Sequence, residues 1–205
     1  MRKRITGLAV ATALVLGASY AGAADQLIVG KKLLIKNPPA GTSKNKVVFL
    51  SKDAGIAQPT GATEDPTVGG ASLTVADIET GEAFTIPLPA GGWTNNGNGT
   101  FKYKDSSGAT CKIVLIKDAK LTKAVCKGAQ VAYDLGGAQN AVRVVLSTGT
   151  TNRYCTVFSA ARGCDVKKNG SDDKTYTAVN CTAAPSGCSP ASPSGAFLDG
   201  APAGF

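Results

Sequence analysis

The sequence predicts an all-β fold, an antiparallel β-sandwich or small barrel of about ten short strands stabilised by disulfides. Three observations predict it. Short runs rich in β-branched and aromatic residues recur along the chain between clusters of Gly, Asn, Pro and Ser. No window of helical length sustains apolar residues at spacings of three and four. Six cysteines, an even number, all lie in the second half of a chain that opens with an export signal.

The signal is read from Arg2, Lys3 and Arg4, the apolar run Leu8 to Leu16, and the small residues Ala21-Gly22-Ala23. Cleavage after Ala23 or Ala24 leaves a chain of about 180 residues, the size of one domain. The apolar run is shorter than the ~20 residues a spanning helix needs, and no comparable run follows. No cysteine at the cleavage site offers a lipid attachment point. Phe205 is a terminal aromatic, but Gly200-Ala201-Pro202-Ala203-Gly204 before it lacks the alternation of an outer-membrane strand. The expected organisation is a signal peptide over 1–24, a β domain over 25–182, and a Pro/Ser/Gly/Ala-rich tail over 183–205 whose Cys188 is tied back to the domain. The expected location is the exterior or the periplasm.

Within the domain, strands are predicted over Lys32–Lys36, Lys46–Leu50, Ser72–Ile78, Ala83–Leu88, Thr100–Lys104, Cys111–Lys117, Leu121–Cys126, Gln130–Leu135, Ala141–Ser147, Arg153–Phe158 and Lys174–Val179. Turns fall at Asn37-Pro38-Pro39, Gly69-Gly70, Thr80-Gly81, Asn95 to Gly99, Ser106-Ser107-Gly108, Gly136-Gly137 and Thr148-Gly149. Asp53 to Pro66 is poor in strand formers and reads as a long loop. Phe84, Ile86 and Leu88 share one face, and Pro87 marks an edge or strand end. Val142, Val144 and Leu146 lie on one side of their strand, with Arg143 on the other. Lys46 to Leu50 is apolar on both faces and is a candidate central strand.

The cysteines are Cys111, Cys126, Cys155, Cys164, Cys181 and Cys188. Without histidine to share a metal, and without a Cys-x-x-Cys spacing, they read as three disulfides formed in an oxidising compartment. Cys111 and Cys126 face each other when the chain is folded about Asp118-Ala119. A two-residue loop would set them at a hydrogen-bonded pair, which cross-strand disulfides avoid, so a longer or bulged turn is expected. The other four allow three connectivities. Nested pairs, Cys155 with Cys188 and Cys164 with Cys181, suit a return of the chain through Lys168 to Ser171; sequential pairs would make two small loops.

Removing Arg2, Lys3 and Arg4 from the 22 basic residues leaves 19 against 14 acidic ones, a net charge of +5. Seven lysines fall between Lys102 and Lys127 against Asp105 and Asp118. Such a face suits an anionic polysaccharide or cell-surface polymer, or is a solvated strand face that discourages edge pairing. Nucleic acid is disfavoured, since neither a recognition helix nor clustered stacking aromatics accompany the lysines. The absence of histidine removes Ser-His-Asp, Cys-His and His-bearing zinc chemistry. Ser43-x-x-Lys46 and Ser171-x-x-Lys174 match a Ser-Lys spacing, but on predicted loops and strand starts. Glu79 and Glu82 flank a hairpin turn, a weak basis for a glycosidase pair. Asn169 to Asp173 lacks the full spacing of a calcium loop.

Trp93 precedes Thr94-Asn95-Asn96-Gly97, an aromatic beside amides of the kind that stacks on sugars, although a lone tryptophan is ordinarily core. The candidate ligand contacts are Trp93, Asn95, Asn96, Lys117, Lys120 and Lys123; no catalytic residue, metal ligand or cofactor is expected.

The segments GKKLLIK from Gly30, CKIVLIKDAKLTKAVCKG from Cys111, RYC from Arg153 and CSP from Cys188 together resemble a module of uncharacterised exported proteins of environmental bacteria. The resemblance spans most of residues 30 to 190, and the lysine-rich cysteine hairpin is its most specific part. It implies the nested pairing, because counterparts of Cys155 and Cys188 recur there, with Cys164 and Cys181 as an added pair. It implies no activity. The expected function is a non-enzymatic structural or interaction domain at the cell exterior, binding a surface polymer, polysaccharide or protein. A carbohydrate-binding module requires an exposed Trp93, and a carboxylate-dependent hydrolase requires two close carboxyl groups in a concave pocket.

Overall fold

The computed structural model describes residues 24–38, 41–105, 107, 110–170 and 174–188. The signal residues 1–23, the turn residues Ser171 to Asp173 and the tail beyond Cys188 lie outside the described residues. Thirteen strands are described: β1 (Ala24–Leu27), β2 (Gly30–Lys36), β3 (Lys46–Ser51), β4 (Ala71–Asp77), β5 (Ala83–Leu88), β6 (Trp93–Asn95), β7 (Thr100–Tyr103), β8 (Cys111–Lys117), β9 (Leu121–Lys127), β10 (Ala141–Thr148), β11 (Asn152–Ser159), β12 (Asp165–Asn169) and β13 (Thr175–Val179). One helical turn, α1 (Pro66–Gly69), follows the loop that begins at Asp53, and the Asp65 side chain caps it by accepting from the Thr67 N–H.

The strands form a sandwich of two sheets, ordered β1-β11-β10-β4-β5 and β12-β13-β2-β3-β9-β8-β7-β6. Pairing is antiparallel except for β1, which runs parallel to β11. β3 lies inside the larger sheet, between β2 and β9, consistent with its apolar character on both faces. β5, which carries Pro87, is an edge strand, where a missing N–H costs no ladder bond.

Alternation decides what faces what. Leu33, Ile35, Val47, Phe49, Val114, Ile116 and Ala124 point inward from the larger sheet, and Leu73, Val75, Ile86, Val144 and Leu146 from the smaller. The sheets meet where Phe49 and Phe158 pack edge to face, centroids 6.3 Å apart. The Tyr176 hydroxyl donates to the Phe158 carbonyl across the same contact at 2.9 Å.

The strand count exceeds the expected ten because three polar or short strands pair at or near the edges: β1, β6 and β12. Gln130–Leu135 is the opposite case and is not a strand. Val131, Tyr133 and Leu135 are buried and their neighbours exposed, so the alternation is real, but the backbone has no ladder partner. Asn45 Nδ2 donates to the Val131 carbonyl at 2.9 Å, Asn37 Nδ2 donates to the Tyr133 carbonyl, and the Glu82 carboxylate accepts from the Asp134 N–H. Side chains take over the work of a neighbouring strand, and the segment lies extended on the core without joining a sheet.

Three disulfides join Cys111 to Cys126, Cys155 to Cys188, and Cys164 to Cys181. The first links β8 and β9, whose register shifts between Cys111 and Ile113 and whose three-residue turn holds Ala119 at φ 48°. The other two are nested around the β12–β13 hairpin. Such a set suits an oxidising compartment. Among the described residues, no helix is long and apolar enough to cross a membrane.

Burial holds the phenols of Tyr133, Tyr154 and Tyr176 well above the ordinary tyrosine range, and the nearby Asp77 and Glu82 carboxylates add to this at Tyr133. A raised folded-state value means that the stability they contribute is fully present below the unfolded pKa of about 10 and is lost as pH rises beyond it. Alkaline titration followed by tyrosinate absorbance and circular dichroism should therefore show these three ionising together with loss of the β signal. Their ionisation in an intact fold would contradict the buried assignment.

Candidate functional site

The outer face of the larger sheet carries the most distinctive chemistry. On β2, the residues alternating with buried Leu33 and Ile35 are Lys32, Leu34 and Lys36; on β3 they are Lys46, Val48 and Leu50. β9 contributes Leu121, Lys123, Val125 and Lys127; β8 contributes Ile113, Leu115 and Lys117; β7 contributes Thr100 and Lys102.

Register arranges these side chains in rows that run across the strands. Lys36, Lys46 and Lys127 are directly opposite one another on three successive strands. The next row is Leu34, Val48, Val125 and Ile113, all aliphatic and half-buried. The third alternates: Lys32, Leu50, Lys123, Leu115, Lys102. Neighbouring strands lie ~4.8 Å apart, so like charges in the first row are adjacent, an arrangement that weakens a sheet. β2, β3, β9, β8 and β7 thus place seven lysines and no carboxylate on this face; Asp165 and Lys168 stand on the same face at the β12 edge, two strands from β2. Among the described residues none of the seven forms an ion pair.

Of the lysines singled out from sequence, Lys117 and Lys123 lie on this face and Lys120 stands exposed at the tip of the β8–β9 turn. Lys32, Lys36, Lys46, Lys102 and Lys127 complete the surface. The sequence signal for β2 and β3 was their shared parity, Lys-x-Leu-x-Lys and Lys-x-Val-x-Leu, but only the strand order shows that they join the cysteine hairpin.

Trp93 is elsewhere and is buried, 6% exposed. Its indole N–H donates to the Leu88 carbonyl at 3.2 Å, and its ring tilts against Tyr103 with centroids 5.5 Å apart. The exposed stacking ring that a Trp93-based sugar site requires is not presented. Asn95 and Asn96 are exposed in the β6–β7 turn, where Asn95 accepts from the Gly97 N–H and the Asn96 N–H donates to the Thr100 carbonyl. They are not assembled with Trp93 into one surface.

The remaining candidates separate as well. Ser43 is exposed in a short 3-10 turn while Lys46 stands on the lysine face, and Ser171 lies outside the described residues. Glu79 accepts from Asn140 Nδ2 at 2.7 Å, and Glu82 is engaged by the Asp134 backbone. Asp105 is held well below the usual carboxylate range by the Ser107 hydroxyl, then by Thr110, in a local turn.

The outer face of the smaller sheet holds a cleft of about 210 Å³ lined by Thr74, Ala76, Arg143, Val145, Arg153 and Cys188. Arg143, set opposite the core-facing valines of β10, is only 4% exposed, and burial lowers its pKa. Arg153 pairs with Asp25 at 2.6 Å, joining β11 to β1. Asp25, Cys155 and Cys188 cluster beside it, but the two sulfurs are bonded to each other and are not metal ligands. No protein family, curated protein or solved structure matches this chain.

Proposed function

We propose that this chain is an exported, non-enzymatic binding domain that engages an anionic partner at the cell exterior through the outer face of its larger sheet. One observation carries the reading: β2, β3, β9, β8 and β7 hold seven lysines on that face and no carboxylate, and three of the lysines are placed side by side despite their mutual repulsion. A protein keeps such an arrangement at a cost to the sheet, and an anion removes the cost. The basic start, apolar run and small-residue cleavage site supply the route out of the cell, and the three disulfides suit the oxidising destination.

The test is sedimentation of the oxidised mature protein with insoluble peptidoglycan, which is anionic, and with cellulose and chitin as uncharged or weakly charged polymers. Retention on peptidoglycan alone is expected, weakened in Lys117→Gln/Lys120→Gln/Lys123→Gln and abolished in about 1 M salt, where the screening length falls to ~3 Å. Equal retention on cellulose, or retention indifferent to salt, contradicts the reading.

A further inference from the structure

Building on that reading, we infer that the partner is a linear acidic polysaccharide lying across the strands, along the rows of the β2-β3-β9-β8-β7 face. The rows decide this. Lys36, Lys46 and Lys127 repeat once per strand, every ~4.8 Å, and Lys32, Lys123 and Lys102 repeat on every second strand, every ~10 Å. Four residues along each strand separate these two rows, ~13 Å, with the aliphatic row midway between them. A chain bearing regularly spaced carboxylates can meet several ammonium groups of one row together, so each contact after the first is intramolecular.

The middle row fits the rest of such a ligand. Leu34, Val48, Val125 and Ile113 are half-buried, form an unbroken strip, and offer a shallow apolar surface to the C–H faces of sugar rings. Neighbouring lysine stems extend that surface while their heads stay in water.

Other polyanions fit less well. The aromatic residues of these strands, Phe49, Phe101 and Tyr103, all point into the core, which leaves no platform on which nucleic-acid bases could stack. A membrane surface is favoured by exposed apolar anchors, but the large exposed hydrophobic residues among those described, Leu27 and Val68, are not on this face.

The experiment is a binding titration of the mature protein against polygalacturonate, with poly-L-glutamate, a deoxythymidine oligonucleotide, phosphatidylglycerol vesicles and uncharged dextran as competitors. Polygalacturonate should bind most tightly and dextran not at all. Lys36→Gln/Lys46→Gln/Lys127→Gln should bind polygalacturonate at least tenfold more weakly and show a smaller salt dependence, while Lys36→Arg/Lys46→Arg/Lys127→Arg should retain wild-type affinity. The Gln variant loses only repulsive neighbours, so its unfolding midpoint should not fall, which separates lost binding from lost folding. Tighter binding to polyglutamate, oligonucleotide or vesicles overturns the assignment to a polysaccharide, as does an unaffected Gln variant. If the protein sediments with peptidoglycan but ignores polygalacturonate, the polysaccharide assignment fails and the broader reading of an anionic partner stands.

Discussion

Phe158→Ala should destabilise the protein by about 3–5 kcal/mol, the range for emptying a large buried aromatic site. Phe158 has no exposed surface, packs edge to face on Phe49 of the opposite sheet, and lies beneath Gly30, whose missing side chain makes room for it: a Cβ there would come within 2.6 Å of the ring. The substitution opens a cavity between the sheets and removes the aromatic pair together. A domain of this size has roughly 5–15 kcal/mol of stability to lose, so the urea midpoint should drop substantially at an unchanged slope. A change below ~1 kcal/mol would mean that the sheets are not held together at this point, against what such truncations ordinarily cost.

Gly149→Ala should be the most damaging single-methyl addition. Gly149 sits in the β10–β11 turn at φ 55°, and a Cβ there would lie 2.1 Å from the Thr63 carbonyl oxygen. That carbonyl already accepts the Thr150 N–H at 2.7 Å, while the Gly149 N–H donates to the Gly70 carbonyl at 2.8 Å. The new methyl must therefore push the Gly61 to Asp65 loop off the turn and break the Thr150–Thr63 tether. Left-handed strain of ~1–2 kcal/mol added to overpacking of ~1–3 kcal/mol gives an expected loss of about 2–5 kcal/mol. Gly91→Ala, with open space around the position, should change the thermal midpoint little. Equal effects at the two sites would show that the loop does not pack on the turn.

Much of this architecture is legible in the sequence because a half-buried strand must alternate. The predicted runs at Ala83–Leu88 and Cys111–Lys117 coincide with β5 and β8, and those for β2, β3, β4, β7, β9, β10, β11 and β13 differ only at their ends. Where the signal is weak, the pairing is peripheral. β12 reads Asp-Val-Lys-Lys-Asn and buries almost nothing, and β6 has three residues, so neither shows a period. Gln130–Leu135 misleads in the other direction, because period-two burial records only that one side of an extended chain faces the core. Whether that chain joins a sheet depends on Asn37 and Asn45, which are distant in sequence and occupy its carbonyls.

The lysine face was half legible for a similar reason. The density of lysines around the cysteine hairpin is a local property, and Lys117 and Lys123 follow from it. The row Lys36, Lys46 and Lys127 is a property of register among β2, β3 and β9, and composition carries no trace of it. Trp93 shows the limit of reading residue types: its neighbours Asn95 and Asn96 suggest a sugar site, but the indole faces inward to reach the Leu88 carbonyl.

Lysine footprinting locates the binding surface directly: brief acylation of the mature protein with and without polygalacturonate, with modified sites read by mass spectrometry. Protection should concentrate on Lys36, Lys46 and Lys127 and extend to Lys32, Lys102, Lys117 and Lys123. Lys167, paired with Asp165 on the edge strand β12 outside the rows, should be modified equally in both samples. Protection that is absent, or that spreads evenly to Lys167, would contradict a binding surface on the β2-β3-β9-β8-β7 rows.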